Sequence, residues 1–365
     1  MLAILLAACG GGGGSSSTGT GGDNFGNNGN EGYLFPDDVP LDIFENHPIN
    51  KAILDLTPQA QTDSRYALTA NYGDNALFRV GSDGRIWLKA SPDYETPDDS
   101  DKDGVYHIRV EHSHNAQSYS ELEVTVQDVV REVSATEWKN SSNENDYFLY
   151  DYEHVKDILP DNDFVKYLLA GNAFALPEEG PVIITWSLVI PASDLSYFEE
   201  IGVPKDLGQS TTTQAQINNH RDLLMRAFAE FEQVANVQFI EIEDTATIVG
   251  DIRVAISPTV LSQGFSPGDV PPTHINIVTN ALYSIYVHEI GHSVGLKHPF
   301  EGGFAHNPAF RDRHDLSVMN YGDRRLREMT QNDIDALQFL YGAPGSNFDG
   351  LQAKLIDEGI TPEVL

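Results

Sequence analysis

Hydrophobic and polar residues alternate along the first half of the chain, between residues 39 and 132. The alternation is clearest in four short runs, at residues 76–80, 86–88, 106–110 and 122–126. A period of two is typical of strands with one buried face, and short strands divided by turn residues favour two packed sheets. We therefore predict an all-β sandwich for residues 37–132.

The second half of the chain combines two periods. β-branched and aromatic residues dominate four runs, predicted to be strands, at residues 182–189, 237–242, 252–256 and 274–278. Between the first two runs, spacings of three and four predict a helix with a buried stripe of Ile217, Leu224, Ala227, Phe228, Phe231 and Val234. A later helix is predicted to begin at the capping-box residues Thr330 and Asp333 and to end at Gly342. The expected fold of residues 161–345 is α+β.

Three segments have no apolar pattern that would build a core. Residues 10–36 are rich in glycine and serine, so we expect a disordered tether. Residues 133–160 are polar and acidic, which predicts a linker between the two domains. Residues 346–365 are expected to form a C-terminal tail.

The chain is strongly acidic, with 55 Asp and Glu against 22 Lys and Arg and a net charge of −33. This balance argues against nucleic acid as a partner, because phosphates are neutralised by Lys and Arg. Calcium ligands, a saline habitat and solubility each explain such acidity, and composition does not choose among them. The single cysteine, Cys9, excludes a disulfide framework and a thiolate that blocks a metal site.

Residues 1–9 form an apolar run that ends in Leu-Ala-Ala-Cys. This run resembles the lipobox of a bacterial lipoprotein signal peptide, which implies a lipid anchor on Cys9 and a place at the cell surface or outer membrane, or secretion. The resemblance is incomplete, because only eight residues precede Cys9 and none is Lys or Arg. A short hydrophobic terminus with a chance cysteine is the alternative.

Residues 288–298 carry three histidines at spacings that suit one metal ion. His288 and His292 lie four apart, so on a helix both imidazoles project from one face. Gly295 permits the sharp turn that returns His298 as a third ligand. Three imidazoles leave one position of a tetrahedral zinc open for water, as in catalytic sites. Glu289, beside the metal, is the predicted general base and acid.

This extended zinc motif resembles that of the metzincin proteases, whose second mark is a methionine turn. Residues 317–321, Ser-Val-Met-Asn-Tyr, match that turn. The resemblance implies that Met319 forms the hydrophobic floor of the site and that Tyr321 stabilises an oxyanion. Residues 163–172, 250–253 and 333–343 are similar to segments of serralysin-type catalytic domains.

The metzincin resemblance implies a zinc-dependent endopeptidase that acts on proteins or peptides. In that family an extended substrate pairs with an edge strand of the sheet, so the implied binding mode is β-augmentation. The remaining histidines, including His220 and His306, have no ligand spacing and are expected on the surface or in loops.

Residues 39–132 resemble a cadherin-like domain, an immunoglobulin-like sandwich that binds calcium. The resemblance implies calcium ligation by Glu45, Asp93, Glu95, Asp99, Asp101, Asp103 and Asp128. Two departures are Gln59-Ala60-Gln61, where the family has an Asp-x-Asp pair, and Arg131-Glu132 at the closing linker. A solvated acidic loop accounts for these carboxylates equally well. The alternative function is a cell-surface, calcium-dependent adhesion protein whose protease fold is inactive.

Overall fold

The computed structural model describes residues 41–56, 66–81, 84–112, 115–129, 134–135, 138, 147–177, 180–189, 193, 213–257, 262–265, 273–313, 315–321, 328–346, 349–360 and 363–364. Within them the chain is a mixed α/β protein with several sheets and helices. The tether at 10–36 and the anchor residue Cys9 lie outside the described residues. Among the described helices, none combines the length and the apolar character needed to cross a bilayer.

Two sheets in the first half share one core. The larger sheet has the order β1 (Leu41–Phe44), β7 (Asn115–Gln127), β6 (Val105–His112) and β3 (Tyr66–Leu68). The smaller has the order β2 (Leu54–Asp55), β5 (Arg85–Leu88) and β4 (Phe78–Val80). Their alternating apolar residues meet in a cluster that includes Phe78, Ile86, Tyr106, Ile108, Val110, Leu122, Val124 and Val126. The predicted runs at 86–88, 106–110 and 122–126 lie within β5, β6 and β7, whereas the run at 76–80 is a strand only from Phe78, because Asn75–Leu77 forms a 3₁₀ turn.

A five-stranded sheet organises the second half. Its order is β11 (Val237–Ile242), β10 (Val182–Leu188), β12 (Ile252–Ser257), β14 (His274–Val278) and β13 (Gln263–Gly264). The first four strands are parallel, and β13 runs antiparallel to β14 at the edge. The residues of these parallel strands are buried along most of each strand, as expected where both faces of a sheet are covered.

Helices cover this sheet and carry its site. The helix α3 (Gln214–Glu232) buries the predicted stripe, with Phe228 packed 5.0 Å from the ring of Trp186 on β10. The helix α4 (Tyr283–Ser293) packs beside it. The helix α5 (Gln331–Tyr341) begins at the predicted capping box and ends at Gly342, whose φ is +82°. These helix predictions are confirmed.

Parts of the segments expected to be a linker and a tail belong to the core. Within residues 133–160, β8 (Tyr147–Leu149) and α1 (Tyr152–Val155) bury Phe148 and Val155 completely. Strand β8 pairs with β9 (Asn172–Phe174) on one side and with β15 (Glu363–Val364) on the other. The helix α6 (Leu351–Asp357) buries Leu351 and Leu355 in the same cluster. Pairing between distant segments explains why these short elements show no pattern of their own.

The two halves of the chain contact one another along strand β11. Phe44 packs against a small cluster formed by Val129, Ile240 and Ile242. The amide of Glu243 donates to the carbonyl of Asn46 at 2.7 Å, which extends the contact past the end of β11.

A charged cluster continues this junction. The Nε of Arg221 donates to Glu241 at 2.6 Å, and the other carboxylate oxygen of Glu241 lies 3.1 Å from the Nζ of Lys51. Arg221 also donates from Nη2 to the side chain of Asn50 at 2.8 Å. Because the Glu241 side chain is 1% exposed, its charge depends on cations from both halves.

Candidate metal centre

The helix α4 holds two of the three predicted ligands. His288 and His292 are one turn apart, and the helix ends at Ser293. Gly295 then has φ +91°, a left-handed conformation that glycine adopts without strain. A Cβ at this position would lie 2.4 Å from the carbonyl oxygen of Asn172. The turn therefore requires glycine, and it brings His298 back towards the helix.

A segment about 125 residues earlier holds this turn in place. The amide of Ala170 donates to the carbonyl of Gly295 at 2.9 Å, and the amide of Lys297 donates to the carbonyl of Leu168 at 2.7 Å. The small helix α2 (Val165–Leu168) leads into this pairing. Residues 163–172 resemble a segment of serralysin-type domains, but only the structure shows that they hydrogen-bond to the turn that carries His298.

The three imidazoles converge through their Nε2 atoms. The Nε2 of His298 lies 3.0 Å from that of His288 and 3.1 Å from that of His292. Bonds of 2.0–2.1 Å at tetrahedral angles would set these separations at about 3.3 Å. The ligand nitrogens are therefore already close to the spacing that one zinc ion requires.

The opposite ring nitrogens fix the tautomers. The Nδ1 of His288 lies 2.7 Å from the carbonyl oxygen of Val318, and the Nδ1 of His292 lies 2.9 Å from that of Leu296. A carbonyl only accepts, so each Nδ1 carries the proton and each Nε2 presents a lone pair. The Nδ1 of His298 lies 2.8 Å from a carboxylate oxygen of Glu301. Three lone pairs directed at one point repel one another unless a cation lies between them, so these residues fit a metal ion.

The environment keeps the imidazoles neutral. Burial, then the charges of His288 and His298, lowers the pKa of His292 well below its usual value. Burial, then the charges of His288, Lys297 and Arg311, lowers the pKa of His298 to about 3. Metal ligation requires neutral imidazole, so these shifts favour the binding form at neutral pH.

The methionine turn, residues 317–321, packs directly under α4. Met319 is fully buried, and a Cβ added to Gly291 would lie 2.6 Å from its sulfur. The turn itself is held by Asp333, which accepts from the hydroxyl of Ser317 and from the amide of Val318. Asp333 thus supports the carbonyl that binds His288. Its capping role was predicted, but nothing in the sequence indicated this second contact.

Glu289 and Tyr321 lie at the same centre. Glu289 follows the ligand His288 on α4 and is 5% exposed, whereas Tyr321 is 44% exposed. The ring of Tyr321 lies 4.4 Å from that of His298 and 6.1 Å from that of His288. The structure therefore places Glu289, buried, on the same helix as His288 and His292, and the half-exposed ring of Tyr321 beside those of His288 and His298.

The predicted calcium ligands divide into two clusters. Glu45, Glu95 and Asp128 bring carboxylate oxygens within 4.8 Å of one another, and Asp99, Asp101 and Asp103 do the same. Asp93 belongs to neither set, and it accepts from the amide of Thr96.

The buried carboxylates of both clusters have hydrogen-bond donors within the protein. Glu45 accepts from the amides of Tyr94 and Val129. Asp99 accepts from the amides of Asp103 and Gly104. Loop closure thus accounts for part of each cluster.

Two of the remaining histidines differ from the expectation of a surface or loop position, since His274 is fully buried on β14 and His220 is buried on α3. His220 lies on α3, is 3% exposed, and contacts the hydroxyl of Tyr286 on α4 through its Nδ1. Burial lowers its pKa, so it acts as a neutral link between two helices. His306 is exposed, as expected.

The second half of the chain is thus a mixed α/β unit with a three-histidine group that can hold a metal ion. Over 115 residues, which are 29% of this chain and 22% of the relative, the sequence is 27% identical to stromelysin-1 of Mus musculus. Over 84 residues, which are 23% of this chain and 16% of the relative, it is 30% identical to stromelysin-1 of Rattus norvegicus. No protein-family model matches the sequence. These partial similarities support a relation to the metalloproteases.

Proposed function

We propose that this protein is a zinc-dependent endopeptidase of the metzincin type, with a serralysin-like catalytic domain. The observation that carries the proposal is the convergence of three Nε2 atoms, with the rings of His288 and His292 fixed at Nδ1 by backbone carbonyls and that of His298 by the carboxylate of Glu301. The partial similarity to stromelysin-1 supports a metalloprotease.

The chemistry follows from the groups around this point. His288, His292 and His298 would hold a zinc ion, which would supply the Lewis acidity that makes water nucleophilic near neutral pH. Glu289 takes a proton from the attacking water and passes it to the leaving amine. The hydroxyl of Tyr321 donates a hydrogen bond to the peptide oxygen as it gains negative charge.

The substrate is proposed to bind along strand β13. This strand lies at the edge of the sheet, and no described strand pairs with its outer side. A Cβ on Gly264 would lie 2.3 Å from the carbonyl oxygen of Glu289, so the strand runs directly against α4. An extended peptide that adds to this edge by β-augmentation passes beside the metal centre.

The test is Glu289→Gln, which keeps the shape of the side chain but removes the base. We expect cleavage of an unfolded protein to fall by about 10²–10⁴-fold with zinc content unchanged. Glu153→Gln, on the exposed surface of α1, is the matched control. Metal analysis and a peptidase assay on both variants decide the matter. Cleavage at the wild-type rate by Glu289→Gln would refute the mechanism.

A second function rests on the two carboxylate clusters of the first half. We propose that this half is a cadherin-like domain that binds calcium, a hard cation that prefers oxygen ligands. If adhesion is the protein's task, the zinc-loaded chain has no peptidase activity, and the clusters alone bind their ion. Measurable activity at one zinc per chain decides for the endopeptidase.

Attachment to the bacterial cell surface through Cys9 is part of the proposal. Mass analysis of the protein purified from membranes tests it. Acylated Cys9 supports a lipoprotein, and an unmodified thiol contradicts it.

A further inference from the structure

The rim of the metal centre carries an arginine whose position is fixed by the surrounding loop. Arg311 follows the 3₁₀ turn Pro308–Phe310, and its carbonyl accepts from the amide of Tyr321 at 3.2 Å. Next to it, the side chain of Asn320 donates to the carbonyl of Arg313 at 2.6 Å. Two hydrogen bonds therefore tie this loop to the methionine turn.

Aromatic packing holds the same loop from the other side. The ring of Phe310 lies 5.1 Å from that of Phe164 and 5.2 Å from that of Tyr167. Aromatic pairs at these separations attract one another beyond the effect of the area they bury. The backbone of Arg311 is thus fixed before any ligand arrives.

The guanidinium of Arg311 is directed at the metal centre. Its carbon lies 5.7 Å from the ring centroid of Tyr321 and 5.4 Å from that of Phe300. Both rings contact His298, at 4.4 Å and 5.1 Å. The cation is therefore two side-chain layers from the convergence point of the ligands, on the exposed side.

Arg311 forms no ion pair with a carboxylate among the described residues, as is also true of Arg79 and Arg226, which lie over the rings of Trp87 and Tyr283. Five other arginines form ion pairs: Arg85, Arg109, Arg221, Arg253 and Arg313. In a protein of net charge −33, an exposed guanidinium that forms no ion pair with a described carboxylate leaves a local site for an anion. The planar fork of arginine matches a carboxylate in particular.

We infer that Arg311 binds a carboxylate of the substrate, so that the site prefers peptides with an acidic group close to the scissile bond. This inference rests on the proposed endopeptidase function. The carboxylate comes either from an Asp or Glu side chain of the substrate or from its free C-terminus, because both present the same two oxygens. The rings of Tyr321 and Phe300 lie on one side of the guanidinium and orient it. The bound carboxylate contacts the side that these rings leave open.

The experiment compares matched peptides on the full-length, zinc-loaded protein. One pair differs by Glu against Gln at positions on either side of the cleaved bond, and a second pair by a free against an amidated C-terminus. We expect kcat/KM to be about tenfold higher for the carboxylate member of one pair, the usual effect of one charge-assisted hydrogen bond. Which pair responds identifies the source of the carboxylate.

Variants then assign the preference. In Arg311→Gln the ratio of kcat/KM between the two members of the responding pair should fall to about one, and Arg311→Lys should restore part of the ratio. Arg313→Gln removes a neighbouring exposed arginine that is paired with Asp315, and it should keep the full preference. Equal cleavage of both members of each pair by the wild type, or a preference that survives in Arg311→Gln, overturns the inference.

A binding measurement separates this inference from the proposed function. Fluorescence anisotropy of the same peptides on Glu289→Gln reports affinity without cleavage. If the wild type cleaves nothing but the affinity difference depends on Arg311, the endopeptidase proposal fails and the carboxylate site stands. If cleavage occurs with no affinity or rate difference, the reverse holds.

Discussion

At the scale of single residues, the absence of a Cβ at Gly291 allows α4 to pack against Met319 at the metal centre. Gly291 lies between His288 and His292, where an alanine would favour the helix by about 0.5–1 kcal/mol. The sulfur of Met319 occupies the space that the new Cβ needs, at 2.6 Å. Contact between buried atoms at this distance outweighs the gain in helix propensity.

Gly291→Ala should therefore lower stability by about 1–3 kcal/mol and weaken zinc binding, since the helix and the methionine turn must separate. Urea denaturation and zinc titration measure the two effects. Gly302→Ala is the control, because a Cβ there meets nothing within 4 Å. An unchanged stability of Gly291→Ala would show that Met319 is free to move aside. If contact with Met319 causes the loss of stability, the combined variant Gly291→Ala with Met319→Ala should recover stability.

The buried histidines predict a pH dependence for the metal-free protein. The pKa of His298 is lowered to about 3 by burial and by neighbouring charges, from an ordinary value of 6.5. The unfolded chain therefore binds more protons than the folded chain between these values, and stability falls as pH falls through this range. From pH 6.5 to pH 5 one such group contributes about 2 kcal/mol.

The expected observation is a steeper loss of stability from pH 7 to pH 5 in the wild type than in His298→Gln. Urea denaturation of metal-free protein at high salt measures it, because salt screens the repulsion among the 55 acidic residues. His47 shifts in the same direction, to about 4 through burial and Lys51, so His47→Gln should remove a second part of the slope. Equal slopes in all three proteins would contradict the prediction.

At the scale of elements, helix α5 joins the methionine turn to the core. Asp333 caps the helix through the amide and hydroxyl of Thr330 and also accepts from Ser317 and Val318. Burial raises the pKa of this carboxyl, and its donors oppose that rise. The cap and the support for His288 are thus one side chain.

Asp333→Asn should cost about 1–3 kcal/mol of stability and lower zinc affinity by about 10–100-fold, as loss of an outer hydrogen bond to a ligand does. Competition with a zinc chelator measures the affinity. Asp335→Asn, two residues along the same helix and bonded to Asn162 and Gln331, should leave zinc affinity unchanged. The same affinity loss in both variants would point to the helix in general.

Long apolar patterns predicted the elements better than short ones. The stripe on α3 and the runs at β10, β11, β12 and β14 were predictable because each buries its own residues in a regular period. Strand β8 was not, because its three residues are a strand only through pairing with β9 and β15.

For the metal centre too, local spacing was predictable from the sequence and long-range contacts were not. His288, Glu289, His292, Gly295 and His298 are close in sequence, so their spacing alone placed them together. The contacts made by Leu168, Arg311 and Asp333 depend on tertiary packing, and no local spacing encodes them.

At the scale of the whole molecule, the first half of the chain contributes to the stability of the second. Glu241 on the edge strand β11 is buried with Arg221 from its own half and Lys51 from the other. Removal of one partner from a buried charged group leaves a charge that the interior does not solvate. The two halves should therefore unfold in one transition.

Lys51→Met should lower the stability of the full chain by about 1–2 kcal/mol, less than for a fully buried pair because the Lys51 side chain is 23% exposed. Calorimetry of the intact protein measures it. Lys102→Met, whose pair with Asp98 is exposed, should change stability by less than about 0.5 kcal/mol. A separate early transition in the wild type would mean that the junction does not couple the halves.

The two backbone hydrogen bonds between Leu168–Ala170 and Gly295–Lys297 also affect the order in which the metal centre is assembled during biosynthesis. The ligand turn is held by a segment made about 125 residues earlier, and the support for His288 comes from Asp333, made about 45 residues later. A nascent chain released only as far as His298 has all three ligands but neither the methionine turn nor its anchor. Metal capture is therefore a late step, and the ion is taken from the compartment in which the chain finishes folding.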